Sequence, residues 1–166
     1  MNNYAYCTTN YNLGRYISPN YGVSPASQKI RELFINLMFD SFLKNTVDNI
    51  YISCLPSLYE LFEEYSENNW DGYGASAINL SSYINAISFL MALPSSTQVP
   101  EISIETDGDV VFEWFVSWDR VFSVSIGPNC ELHYAGLFEG RQISGLEYLE
   151  ETIPKIIIDQ IDKIFD

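Results

Sequence analysis

Lysine and arginine are missing from the entire stretch 45–119, and histidine occurs once in the chain, at His133. Binding nucleic acid requires clustered bases to neutralise phosphates. Eight Lys and Arg scattered over 166 residues form no such cluster, which excludes direct nucleic-acid binding and, for the same electrostatic reason, attraction to an anionic membrane. Cysteine is also scarce. Cys7, Cys54 and Cys130 are odd in number, far apart and without a CxxC or Cys/His group, which excludes a disulfide framework and a zinc site and points to a reducing cytoplasm. No apolar run approaches the roughly 18 residues of a membrane span, and the polar start lacks the basic-then-apolar order of a secretory leader. GxxxxGK[ST], GxGxxG and GxSxG are all absent, which leaves no phosphate cradle and no nucleophile elbow. No cofactor, metal ligand set or catalytic residue is expected.

Acid takes the place of what is missing. Asp and Glu number 22, the net charge is −14, and twelve of the acids fall inside the base-free stretch. They are Asp48, Glu60, Glu63, Glu64, Glu67, Asp71, Glu101, Glu105, Asp107, Asp109, Glu113 and Asp119. With 47% apolar and 15% aromatic residues, the chain is too hydrophobic for a disordered acidic tail, so the charge decorates a folded body. A chain of this length fits one domain that buries about 70% of its unfolded surface. We expect a single domain over 1–166, whose partner is a basic protein or nucleoprotein complex.

Residues 1–24 read as an irregular arm rich in Tyr and Asn, with no helical or alternating period. Segment 25–93 reads as mainly helical. Ser24-Pro25 caps a helix with Ile30, Leu33, Phe34, Leu37, Met38 and Phe42 on one face. A shorter helix follows Pro56, with Leu58, Leu61, Phe62 and Tyr65 inward and Glu60, Glu63, Glu64 and Glu67 outward; the residues near Ile50 and Ile52 fit strand or helix equally. A third helix runs from the N-cap Asn79 to Leu93, presenting Tyr83, Ile84, Ile87, Leu90 and Met91 to the core, and Pro94 ends it. From Pro100 the apolar period becomes 2, in Ile102 and Ile104, Val110 to Val116, Phe122 to Ile126, and Leu132 with Tyr134. This predicts four strands over 100–138, with turns at Asp107-Gly108, Trp118-Asp119 and Gly127-Pro128-Asn129. Glu105, Glu113, Ser123, Ser125, Glu131 and His133 would line a polar face. Pro154 opens a last helix over 153–165, with Ile157, Ile158, Ile161, Ile164 and Phe165 on one side. The expected fold class is α+β, two-layer, a four-stranded antiparallel meander packed against N-terminal helices and a C-terminal helix.

The most distinctive string is Asn69-Trp70-Asp71-Gly72-Tyr73-Gly74-Ala75. Asp71-Gly72 favours a turn with positive φ, Gly74 permits a second reversal, and Trp70 and Tyr73 can either anchor the loop or recognise a partner. With Glu113-Trp114, Val121 to Ile126, Tyr134 to Phe138 and Ile153-Pro154, this string resembles a group of uncharacterised bacterial proteins. Their shared pattern is an "NWDGYGA" loop, a helix, and an "EW … SVSI … YAGLF" strand-rich half. The resemblance spans roughly 60–165 and implies a fold module without an activity. It also implies the company of mobile genetic elements, hence toxin, antitoxin or anti-defence roles.

Rows of carboxylates on a rigid body imitate the charge spacing of phosphates and can occupy a basic channel. Glu60, Glu63, Glu64 and Glu67 form one stripe, and Glu105, Asp107, Asp109, Glu113 and Asp119 form a second along the sheet. The expected function is a non-enzymatic, cytoplasmic inhibitor of a basic nucleic-acid-handling partner, as an anti-CRISPR protein, another anti-defence inhibitor or an antitoxin would be. Glu60, Glu63, Glu64, Glu67 and Asp71 would supply charge, with Trp70 and Tyr73 as aromatic anchors; a homodimer is compatible with this. One alternative is a small enzyme using His133 with Ser123 or Ser125 and an orienting Glu113 or Glu131. The other is a structural or immunity module that binds through a sheet edge or the tyrosine arm.

Overall fold

The computed structural model describes residues 25, 28–30, 32–33, 36 and 50–166, with the side chains of 51 and 52 excepted. The chain divides into two compact units, 1–47 and 48–166. In the first unit the described positions from Pro25 to Asn36 are helical and Ile30 is buried, as the predicted helix requires. The tyrosine-rich arm and the positions Phe34, Leu37, Met38 and Phe42 lie outside the described residues.

The second unit is α+β with an antiparallel sheet. Its elements in order are α1 (Ile50–Glu64), α2 (Leu80–Ala92), β1 (Glu101–Ile104), β2 (Val110–Ser117), β3 (Arg120–Ile126), β4 (Glu131–Phe138), β5 (Arg141–Tyr148) and α3 (Lys155–Phe165). The sheet is a meander in the order β1-β2-β3-β4-β5, so it has five strands where four are expected. The missed strand, Arg141–Tyr148, alternates weakly and buries no residue. Its turn is Glu139-Gly140, with φ of 50° and 80°. Both central residues of such a tight hairpin need positive φ, and Glu in place of Asn or Asp hides the signal.

The sheet's period of 2 places one alternate set of side chains in the core. Rows across the strands run Val110–Ile126–Leu132, Phe112–Val124–Tyr134 and Trp114–Phe122–Gly136, and all but Tyr134 and Gly136 are buried. Each fully buried large apolar side chain contributes about 1.5–3 kcal/mol. α2 and α3 pack against β2 and β3, whereas α1 leans on α2 and β1. The Phe89 ring of α2 stacks on Phe112 at 5.4 Å, and Phe62 of α1 meets Tyr83 of α2 at 4.9 Å. The Trp114 indole N–H donates to the Gln98 carbonyl (2.8 Å).

Several boundaries and facings differ from expectation. α1 begins at Ile50 and runs through Pro56, which sits on the exposed side and deprives the helix of one N–H donor without ending it. Glu67 lies past the helix end. α2 is capped as predicted, Asn79 accepting from the Ser81 and Ser82 amides, but Met91 is 52% exposed and Phe89 and Ala86 take its place in the core. In α3, Ile157, Ile161 and Ile164 are buried, while Phe165 is 44% exposed at the fraying end.

Three glycines mark where backbone or rings approach too closely for a side chain. A Cβ on Gly108 (φ 91°) would collide with the Ala77 carbonyl and reach within 3.1 Å of the Asn79 nitrogen. At Gly136 it would meet the Phe138 and Phe122 rings at 2.8 and 2.9 Å, and at Gly145 it would strike the outer end of the Tyr134 ring. Substitution by Ala is therefore expected to destabilise in the order Gly108, Gly136, Gly145. At Gly108 immovable backbone and positive φ combine for a loss on the order of 3 kcal/mol. Gly136→Ala costs about 1–3 kcal/mol because both rings are held in the core, and Gly145→Ala costs less because the half-exposed Tyr134 ring can swing aside. Urea unfolding of the three variants checks the order.

Candidate functional site

The segment between α1 and α2 folds on its own side chains. The Asn69 N–H donates to the Ala75 carbonyl (2.6 Å) and Gly72 N–H to Asn69 O (3.0 Å). The Asp71 carboxylate accepts from the amides of Tyr73 (2.8 Å) and Ala75 (3.1 Å), the Asn69 side chain from Gly74 (2.8 Å), and the Asn68 side chain from Ala77 (2.8 Å). Asn69 and both glycines of the string have positive φ, as the expected double reversal demands. The Trp70 ring packs edge-on against Tyr65 at 4.5 Å, and its indole N–H donates to the Ser76 carbonyl (2.9 Å). Beyond the loop, Ser76 N–H donates to Thr106 O and Asn79 N–H to Gly108 O, both at 2.8 Å. The loop is thereby tied to the β1–β2 turn.

This geometry sorts the residues singled out from the sequence. Tyr73, at the crest, is 96% exposed. Glu60, Glu63, Glu64 and Glu67 are all exposed, and among the described residues the one ion pair is Lys155–Asp159 at 2.7 Å, so none of the four pairs with a described base. Trp70 and Asp71 are engaged inside the loop, Trp70 as its anchor and Asp71 as the acceptor of its amides. Asn69 opens the string without an assigned role and Asn68 precedes it unremarked; an Asn pair one residue before an Asp-Gly turn is the signal, because Asx side chains bond backbone amides a few residues on.

The outward face of the sheet holds a second group. An open depression of about 340 Å³ is lined by Glu105, Asp107, Asp109, Ser123, Ser125 and His133, among others. Ser125 lies directly opposite His133 across β3 and β4, but its hydroxyl donates to Glu105 (3.0 Å). Among the described residues no hydrogen bond joins the His133 ring to a serine or carboxylate. Glu113 pairs with Ser123, so β3 separates it from the strand of His133. Of the expected second stripe, Glu105, Asp107 and Asp109 gather at the β1–β2 turn, whereas Asp119 sits at the far end of β2, accepting from Ser117 (2.6 Å). The face is less polar than its alternation suggests, for Phe115, Leu146 and Tyr148 are exposed there and Trp118 in the next turn is 90% exposed.

Among the described residues no group of three His, Cys, Asp or Glu side chains is placed to hold a metal, and no helix is long and apolar enough to cross a membrane. Cys54 is buried in α1, and burial pushes its thiol up to about 11, which makes it an inert core residue. No family model, curated protein or solved structure matches the chain.

Two carboxylates are shifted in opposite directions. The Tyr73 and Ala75 amides lower the Asp71 pKa. Its contribution to the loop is thus present above the ordinary Asp value of about 3.9 and lost as pH falls through the lower folded value. The amide resonances of Tyr73 and Ala75 are expected to titrate with a midpoint below about 3.9; a midpoint at or above it contradicts the assignment. Asp109 is raised, chiefly by burial and further by Asp107 and Glu105, against the Ser82 hydroxyl that donates to it (2.7 Å). A raised carboxylate destabilises the fold while ionised, and the penalty fades as pH falls through its folded pKa. Asp109→Asn, which keeps an acceptor for Ser82, should raise the urea midpoint at pH 7, with the gain shrinking on acidification.

Proposed function

We propose that this chain is a non-enzymatic binding protein that presents a rigid acidic and aromatic surface to a basic, nucleic-acid-handling protein and blocks it, the mode of action of anti-defence inhibitors and antitoxins. The observation that carries this reading is the stapled loop that holds Tyr73 almost fully in solvent, following a helix whose Glu60, Glu63 and Glu64, with Glu67 just past its end, are exposed and pair with no base among the described residues. An exposed aromatic on a mobile loop loses entropy when it binds, whereas one on a loop already fixed by its own hydrogen bonds loses little. Tyr is among the residues that dominate interface energetics, and clustered carboxylates accelerate encounter with a basic partner. The net charge of −14 extends that attraction beyond the loop. Glu60, Glu63, Glu64 and Glu67 supply the local charge and Tyr73 the contact, with Trp70 and Asp71 holding Tyr73 in place.

The depression around His133 favours an enzyme less. A serine nucleophile needs its proton directed at the base, and the Ser125 proton goes to Glu105.

Capture of partners from a bacterial lysate by the tagged protein, at low salt and at about 0.5 M salt, tests the proposal. The expected outcome is a basic partner released by salt. Reversal of Glu60, Glu63, Glu64 and Glu67 to Lys should abolish its capture, and Tyr73→Ala should weaken it about tenfold or more. Wild-type affinity in the charge-reversed variant would overturn the proposal. A salt-resistant partner would instead indicate a packed-interface module.

A further inference from the structure

The two edges of the sheet differ in kind. β1 is four residues long, leans against α1, and carries Glu101 with Glu105 just beyond its end; a short acidic edge resists pairing with another chain. β5 is eight residues long, Arg141–Tyr148, with no Pro, no Lys and no break in its register with β4. The two-residue turn makes Phe138–Arg141 the first hydrogen-bonded pair of the hairpin. The backbone groups of Arg141, Ile143, Gly145 and Glu147 therefore point at β4, and those of Gln142, Ser144, Leu146 and Tyr148 point away. Among the described residues, no other element hydrogen-bonds those outward groups.

We propose that this edge pairs with the β5 edge of a second copy of the chain, antiparallel about a two-fold axis at Ser144, so that one sheet continues through both copies. Symmetry leaves few registers. Directly opposed residues must share a face and the axis must be normal to the sheet, so it passes through a residue and not between two. An axis at Ser144 sets Ser144 against Ser144 and Gln142 against Leu146 as hydrogen-bonded pairs, all from the outward set. It also sets Arg141 of each copy against Glu147 of the other. These two lie on the same face of β5, six residues or about 20 Å apart. They cannot meet within one copy, and neither has an ion-pair partner among the described residues. An axis at Gly145 would instead oppose Glu147 with Ile143 and Arg141 with Leu149. Charge complementarity thus selects the Ser144 register.

The salt response separates this contact from the proposed capture of a basic partner. Each copy carries −14, so long-range repulsion opposes pairing at low ionic strength and screening relieves it, whereas capture of a basic partner weakens with salt. Sedimentation equilibrium over a concentration series at about 0.05 and about 0.5 M salt tests the proposal. A dimer that strengthens with salt is expected. Ser144→Pro removes an N–H that points away from β4, so the hairpin stays intact while the dimer weakens at least about tenfold. Arg141→Glu should also weaken it, and adding Glu147→Arg in the same chain should restore it. If Ser144→Pro does not fold by circular dichroism, the charge pair decides alone. A monomer throughout, or a dimer indifferent to the available variants, overturns the proposal, and loss by Arg141→Glu without rescue overturns the Ser144 register.

Discussion

The helical and sheet halves of the second unit depend on one close approach of backbone to backbone, at Gly108. The Ala77 carbonyl occupies the space a Cβ would fill there, and on either side the Ser76 and Asn79 amides donate to Thr106 and Gly108. These bonds bring the N-terminus of α2 to the tip of the β1–β2 hairpin. Asn79 then caps the helix and, one turn on, Ser82 reaches the Asp109 carboxylate. Asn85, a turn further, donates to the Gly127 carbonyl in the β3–β4 turn (2.8 Å). A single helix is thereby pinned to both turns at one end of the sheet, and the pinning fixes which stripe of α2 meets Phe112. The loop before α2 inherits its position from the same joint, because its outgoing strand is the one held against Gly108.

Charge sets the second constraint. A body with −14 of net charge is stable only if its carboxylates remain hydrated or are bonded to donors that need no base. Asp109 and Asp71 show the two solutions. Asp109 is partly withdrawn from water beside Asp107 and Glu105, with one hydroxyl as donor, and its pKa is raised, chiefly by burial. Asp71 is half-exposed and receives two amides, and its negative charge is favoured. The acid inside the loop is accordingly the better stabilised of the two, although it has no ion pair among the described residues.

Periodicity made most of this fold legible before any coordinates. The Asn79 cap, the stop at Pro94, the four strands ending at Tyr134 and the inward Ile157, Ile161 and Ile164 of α3 all follow from residue type and spacing. Failures fall where spacing carries little information. β5 is an edge strand buried on neither face, so selection for apolar alternation is relaxed and RQISGLEY reads as a loop. α1 continues through Pro56 because tertiary packing of Cys54, Leu55 and Leu58, all buried, outweighs one lost hydrogen bond. Met91 and Phe89 are two residues apart near the end of α2, and the stacking of Phe89 on Phe112, which no helical wheel contains, decides the facing. At the candidate site the exposed glutamates and Tyr73 were visible from sequence. Anchoring by Trp70 was one of two readings the string left open, and the use of Asp71 as an acceptor for the loop's amides was not visible, because an aromatic and an acid next to glycines look the same whether they build a loop or crown it.

That division of labour bears on the proposed recognition. A loop of this composition left to itself would sample many conformations, since its glycines restrict nothing. Asn68, Asn69 and Asp71 supply the acceptors for four amides, and the Trp70 ring fixes the base of the loop on Tyr65. Entropy that binding would otherwise have to remove is already removed in folding. Under the proposed reading, residues that touch no partner would thus govern affinity through the position of Tyr73. The same logic separates the two surfaces inferred here. The Tyr73 loop is preorganised by side chains, whereas the β5 edge is preorganised by the pleat itself, whose outward backbone groups are held in register by four strands behind it.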